Sequence, residues 1–163
     1  MIVLVMGVSG VGKTTLGAAL AKQLGWRYLD ADDYHPPENV AKMSAGTPLG
    51  DADRWPWLAR INAELLRLQA GGEPAVLSCS ALKKAYREAL RGGVREFRTV
   101  YLHGDFDLVR ARAEAREHRY MPASLLQSQF AALEPPADAI AIDVRQPPAQ
   151  CLRAIREALH LQE

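Results

Sequence analysis

The sequence predicts an α/β protein: three layers, with a five-stranded parallel sheet flanked by helices. Three observations predict it. Short apolar runs of strand length alternate with stretches of helical periodicity along the chain, the pattern of successive βαβ units. A glycine-rich turn, Gly7 to Gly12, joins the first apolar run to the first helical stretch. The length, 163 residues with 48% hydrophobic side chains, suits one core and therefore one domain, 1–163.

The elements follow in order. Ile2–Met6 is an unbroken apolar run and reads as a buried strand. It is short, has no basic leader and meets Gly7 at once, so it is expected to be neither a signal peptide nor a membrane span. Lys13–Leu24 carries Leu16, Ala19, Leu20 and Leu24 on one face, and Gly25 stops it. Trp26–Leu29 is the second strand, and its extended continuation sets Asp30 and Asp32 on one face. Pro36 and Pro37 open a helix over Glu38–Ala45. After a polar loop, 46–53, a helix over Pro56–Ala70 presents Leu58, Ile61, Leu65 and Leu68 as one stripe, and Gly71-Gly72 ends it. Ala75–Ser78 is the third strand, Ser80–Arg91 a helix and Phe97–Leu102 the fourth strand. Asp105 caps a helix to about Glu117, and Pro122 starts another to Leu133. Ala139–Asp143 is the fifth strand, and Pro148–Leu161 a closing helix.

Charge narrows the function. Twenty basic against nineteen acidic side chains leave a net charge of +1, which gives no long-range field for nucleic acid or an anionic membrane. Any cationic site is therefore local. Cys79 and Cys151 lack metal-ligand spacing and read as reduced, buried thiols of a cytoplasmic protein.

Gly7-Val8-Ser9-Gly10-Val11-Gly12-Lys13-Thr14-Thr15 contains the phosphate-binding pattern Gly-x-x-x-x-Gly-Lys-Thr, the P-loop or Walker A motif, in its required place between strand and helix. Glycines let backbone N–H groups approach phosphate oxygens, and the helix N-terminus aims a partial positive charge at the same anion. Lys13 can span the β- and γ-phosphates, and the Thr14 hydroxyl can ligate Mg²⁺ carried in by the triphosphate. The fold is thus a P-loop NTPase whose ligand is ATP or a similar triphosphate. No Asn-Lys-x-Asp base-reading motif of a regulatory GTPase is present, and the size suits a small-molecule kinase.

The acceptor is expected beyond the carboxyl ends of the strands. There Asp30-Ala-Asp32-Asp33-Tyr-His35 brings three carboxylates and a histidine beside the phosphate loop. Asp32 is assigned to the acceptor hydroxyl, whose proton it would take, and Asp30 to Mg²⁺ through water. The competing reading is that Asp33 or Asp30 caps the next helix, and Asp33 reads as that cap. His35 is divided between ligand contact and a structural role. Arg54, Lys83 and Arg87 converge on the same rim and suit a carboxylate on the acceptor, although each alone is more often a solvated surface charge. Arg112 and Arg116 share a helix face and read as arginines of a lid, about 112–124, that closes over the transferring phosphoryl group. The competing reading is a solvated helix end.

Taken together, the blocks Leu29-Asp-x-Asp32-x-x-His35-Pro36, Asp51-x-Asp53-Arg54-x-Pro56-Trp57 and Cys79-Ser-Ala-Leu-Lys83-x-x-Tyr86-Arg87 resemble the gluconokinases, as do Tyr101-Leu-x-Gly104-Asp-Phe106, Ser128-Gln129-Phe130 and Asp143-x-x-Gln146-Pro147. These are small P-loop kinases related in fold to shikimate and adenylate kinases. The resemblance covers nearly the whole chain. It implies a nucleoside-monophosphate-kinase-like fold with a substrate-binding helical segment at about 35–71. It also implies Mg²⁺-dependent transfer from ATP to the 6-hydroxyl of D-gluconate, and a homodimer. An acceptor pocket of Asp32, His35, Arg54, Lys83 and Arg87 would follow, with catalysis by Lys13, Asp32, Arg112 and Arg116. The adenine would lie near Arg112 and the Gln146-Pro147 loop. The chain departs from the family at His118-Arg119, where Gly-His is usual. Competing functions are a kinase for another hydroxy acid such as shikimate, and a nucleotide-binding regulator that hydrolyses little.

Overall fold

The computed structural model describes residues 1–114 and 123–160. The strands are β1 (Ile2–Met6), β2 (Arg27–Asp30), β3 (Ala75–Ser78), β4 (Phe97–His103) and β5 (Ile140–Asp143). The helices are α1 (Lys13–Leu24), α2 (Pro37–Ser44), α3 (Asp51–Ala70), α4 (Lys84–Arg91), α5 (Phe106–Glu114), α6 (Ala123–Ala132) and α7 (Pro148–Ala158). All strand pairs are parallel, in the order β2-β3-β1-β4-β5. β1 is central, with Val3 opposite Val76 on one side and Arg98 on the other.

Because β1 is buried on both faces, it reads as a continuous apolar run rather than an alternating one. Its alternation instead divides two cores. Ile2, Leu4 and Met6 pack with Leu58, Ile61, Leu65 and Leu68 of α3 and with Tyr86 and Leu90 of α4. Val3 and Val5 pack with Leu16 and Leu20 of α1, Val109 of α5, Leu126 of α6 and Ile155 of α7. Full burial of each such side chain stabilises the fold by about 1.5–3 kcal/mol.

Three local expectations are corrected. The chain does not stay extended after β2: Ala31–Tyr34 forms a 3₁₀ turn, capped by Asp30, whose Oδ1 accepts the Asp32 N–H at 3.0 Å. Asp30, not Asp33, is therefore the cap there. Helix α3 starts at Asp51, ahead of Pro56, because Asp53 Oδ2 accepts the Gly50 N–H at 2.9 Å and closes the first turn. Helix α4 starts at Lys84 rather than Ser80. The Ala81 and Leu82 carbonyls are turned onto the Arg87 guanidinium at 2.8 and 3.1 Å, and Ala81 has φ +45°. The first-turn N–H of Lys84 is taken by Glu134 Oε1 at 2.7 Å. Asp105 does cap α5, accepting the Leu108 N–H at 2.8 Å.

Both cysteines are free and buried. Burial pushes the Cys79 thiol up to about 12 and also raises Cys151. A thiolate is the reactive form. Neither should react with a disulfide reagent at pH 7.5 in the native protein, and both should react after denaturation. Rapid native labelling of one thiol, counted by mass spectrometry, would contradict this packing. No described helix is long and apolar enough to cross a membrane.

Candidate active site

The phosphate loop spans the gap between β1 and α1, and its backbone needs glycine. Gly10 has φ +86° and Gly12 has φ +104°, both in the left-handed region that disfavours a side chain. A Cβ on Gly10 would also lie 3.2 Å from the Cβ of Ala113 in α5. Lys13 folds back over the loop, donating from Nζ to Val8 O at 3.0 Å. The loop is anchored from behind, where Ser78 Oγ at the end of β3 donates to Lys13 O at 2.8 Å. Gly17 leaves room for that anchor, since a Cβ there would lie 2.3 Å from Ser78 Oγ.

Lys13, Thr14, Asp30 and Asp32 meet around one cavity of about 130 Å³, with Ser9, Gly10 and Gly12 on its loop side and Ser78, Cys79 and Ser80 at its back. The fit to a Mg²⁺-triphosphate is good. Loop N–H groups, a lysine and a helix N-terminus border the cavity, and Thr14, Asp30 and Asp32 bring hard oxygen donors to it. Among the described residues no cluster of three or more metal-binding side chains occurs, which suits a cation held chiefly by the phosphates.

A second cavity of about 300 Å³ opens on the other side of the loop. Arg112, Val144, Gln146, Pro148 and Cys151 line it with Gly10, Gly12 and Thr15. It has the apolar and amide lining that a purine base needs. Pro147 precedes α7 as its N-cap and is not part of that lining.

A third cavity, about 340 Å³, lies between α3, the 80–83 segment and α6. It holds Arg54, Lys83, Trp57, Tyr86 and Gln129. Arg54 Nη1 donates to Tyr86 Oη at 3.3 Å, and Tyr86 donates a short hydrogen bond to Asp51 Oδ1. Asp51 Oδ1 also lies 3.5 Å from Arg54 Nη1 and 3.7 Å from Lys83 Nζ. Both cations sit 5.6 Å from the centre of the Tyr86 ring. The Tyr86 hydrogen bond, with the two cations, holds Asp51 below the usual carboxylate range, so it stays ionised at neutral pH.

His35 stacks on Trp57, with ring centres 4.3 Å apart and planes at 13°. Asn39 Nδ2 donates to Asp53 O at 2.8 Å and lies 3.2 Å from His35 Nδ1. That nitrogen can only donate, so Nδ1 accepts and the neutral ring carries its proton on Nε2. Burial lowers the His35 pKa below its ordinary 6.5, opposed by Asp32 and reinforced by Arg54. The sign follows: the unfolded chain takes up the proton first as pH falls, so stability present above pH 6.5 declines below it. Melting temperature measured from pH 7.5 to 5 should fall more steeply for the wild type than for His35→Asn. Equal slopes would remove His35 from the account.

Most of the predicted residues thus gather in three adjoining cavities; Gly7, Val8, His35 and Pro147 line none of the three, and two more fall elsewhere. Arg87 lies outside the acceptor cavity: its guanidinium is occupied by Ala81 O, Leu82 O and, at 2.8 Å, Glu134 O, so it shapes the segment that carries Lys83. Arg116 and most of the expected lid lie outside the described residues. Sequence reasoning missed Asp51, Tyr86, Trp57, Asn39 and Gln129 as members of the site. Spacing could have found two of them, since Asp51 precedes Arg54 by three and Tyr86 follows Lys83 by three.

Comparisons with known proteins agree with this fold. A family model described as an AAA domain matches residues 2–136. The chain is 51% identical to a gluconokinase of Gluconobacter oxydans (strain 621H) over 82% of this chain and 75% of that protein. It is 41% identical to the thermosensitive gluconokinase of Escherichia coli (strain K12) over 96% and 86%. The crystal structure of a gluconokinase from Sinorhizobium meliloti 1021 superposes with a TM-score of 0.85 at 43% identity, covering 97% of this chain and 94% of that one. With relatives this similar over most of both chains, the chain belongs to the gluconokinase family.

Proposed function

We propose that the protein phosphorylates D-gluconate at its 6-hydroxyl, using ATP and releasing 6-phosphogluconate and ADP. The observation that carries this reading is the pairing of two neighbouring cavities. One puts the Asp32 carboxylate beside the phosphate loop, and the next opposes it with Arg54 and Lys83. An acid with a distant hydroxyl suits that pair: its carboxylate is held by the two cations while its far end reaches the phosphate cavity.

Asp32 orients the acceptor hydroxyl and takes its proton as the new P–O bond forms. Lys13 and N–H groups of the 7–15 loop other than that of Ser9, which Gln129 takes, hold the phosphate oxygens and stabilise the charge that builds on them. Arg112 and Arg116 contribute to the same charge from a lid at 112–124. Magnesium, when bound by Thr14 and through water by Asp30, neutralises β- and γ-phosphate charge. His35 offers its Nε2–H to an acceptor hydroxyl. Arg87 acts through Lys83 rather than on the substrate. A cytoplasmic homodimer feeding the pentose phosphate pathway completes the proposal. Another hydroxy acid such as shikimate is the competing acceptor, and the named relatives favour gluconate over it.

The test is ADP release from Mg-ATP with gluconate, shikimate, other sugar acids, neutral sugars and AMP. Stimulation by gluconate above all others is expected. Stimulation by a different acid moves the specificity, and tight ATP binding with no stimulating acceptor leaves a nucleotide-dependent regulator as the better account.

A further inference from the structure

Helix α6 contributes a contact that the phosphate-loop motif does not contain. The Ser9 N–H donates to Gln129 Oε1 at 2.6 Å, and Gln129 Nε2 donates to Ser9 Oγ at 2.8 Å. The two bonds fix the amide in one orientation, because a backbone N–H can donate only to the oxygen end. They also leave the Ser9 hydroxyl its own proton to donate. Ser9 borders the phosphate cavity and Gln129 borders the acceptor cavity, so one side chain joins the two walls.

Just past the C-terminus of α6, on the Gln129 side, the chain is tied to the acceptor side. The Glu134 N–H donates to Leu82 O at 2.8 Å, Glu134 Oε1 accepts the Lys84 N–H, and Glu134 O accepts from Arg87. The helix itself is seated on either side of Gln129 by buried Leu126 and by Phe130, which stands edge-on to Phe106 at 5.7 Å. A helix fixed at one point to the phosphate loop and at another to the segment carrying Lys83 transmits displacement as a rigid body.

We infer that Gln129 is a positioning residue that couples nucleotide binding at the phosphate loop to the Arg54–Lys83 acceptor clamp through α6. Entry of the terminal phosphate shifts Ser9, Gln129 follows it, and α6 resets the 82–84 segment. The coupling is reciprocal, so a bound acceptor tightens nucleotide binding by the same factor. The clamp as the acceptor's carboxylate site rests on the gluconate reading above; the mechanical link between loop and segment does not.

The experiment uses Gln129→Met, which keeps length and loses both hydrogen bonds. Amide exchange of residues 80–87 is followed with and without Mg²⁺ and a non-hydrolysable ATP analogue. In the wild type the analogue should slow exchange there. In Gln129→Met the analogue should still bind, within about threefold, and the slowing should vanish. In parallel, the ratio of analogue Kd without and with saturating gluconate should fall from about fivefold or more towards one. A merely structural role would lower the melting temperature and leave both responses intact. Retained slowing in the variant, or no slowing in the wild type, overturns the inference. Should Gln129→Met fail to fold, Ser9→Ala removes one of the two bonds and should halve the response; an unchanged response overturns the inference as well. Absence of gluconate turnover in the wild type sinks the acceptor assignment, while the exchange measurement still decides the coupling.

Discussion

Replacing Asp32 with Asn should lower kcat for gluconate by about 10²–10⁴-fold while changing the Kd for Mg-ATP by no more than about threefold. The asymmetry comes from where Asp32 sits. It is exposed to the phosphate cavity from the 3₁₀ turn after β2, and its backbone N–H is fixed by Asp30 Oδ1 at 3.0 Å. Asparagine keeps that backbone contact and nearly the same volume, so the turn and the loop beside it should survive. An amide cannot take the proton that the acceptor hydroxyl must lose, and the loss therefore appears in the chemical step. Asp30→Asn provides the contrast. Its amide oxygen can still accept the Asp32 N–H, so the cap is retained, and the expected change is a raised requirement for free Mg²⁺ with a smaller fall in kcat. Stopped-flow nucleotide binding and steady-state rates at several Mg²⁺ concentrations separate the two. An Asp32→Asn enzyme within about threefold of wild-type kcat would move the proton acceptor elsewhere.

The same turn marks how far the sequence could be read. Periodicity and punctuation found each described strand and α-helix, though not the starts of α3 and α4, because short apolar runs between glycine and proline signals have few other solutions in a chain this long. The phosphate loop was legible because its function resides in backbone and one lysine at fixed spacing. Asp30 and Asp32 were expected on one face of an extended strand; they reach one cavity by a tight turn instead, and the cause is a side-chain cap that alternation cannot reveal. Arg87 was expected on substrate for its charge, yet the Ala81 and Leu82 carbonyls just upstream and the distant Glu134 carbonyl claim it. Gln129 meets Ser9 across 120 residues, a pairing set by packing of α6 on α5 and the sheet and not by any local pattern. What stayed hidden was the partner of each side chain, which is a tertiary property.

The acceptor clamp yields the second large effect. Arg54→Ala should raise KM for gluconate by about 10–100-fold, with KM for ATP little changed, since a hydrogen bond to a charged group contributes about 1.5–3 kcal/mol. The figure belongs at the lower end if the site stays wet, because Arg54 is a third exposed at 34%. A neutral polyol of the same length offers no carboxylate, so its poor KM should not worsen in the variant, and that comparison isolates charge recognition from cavity collapse. Asp51 decides the sign of the companion experiment. Its carboxylate already stands between Arg54 and Lys83, bonded to Tyr86, as a built-in anion that the substrate must join or displace. Two cations and one anion present a single net positive charge to a singly charged acid. Asp51→Asn leaves two, and should lower KM for gluconate by about threefold at low salt, an advantage that shrinks as ionic strength rises. A rise in KM instead would mean that Asp51 serves chiefly to hold Arg54 and Tyr86 in place. In that event Arg54→Ala and the double variant should show the same KM, because removing the clamp would already have removed what Asp51 orients.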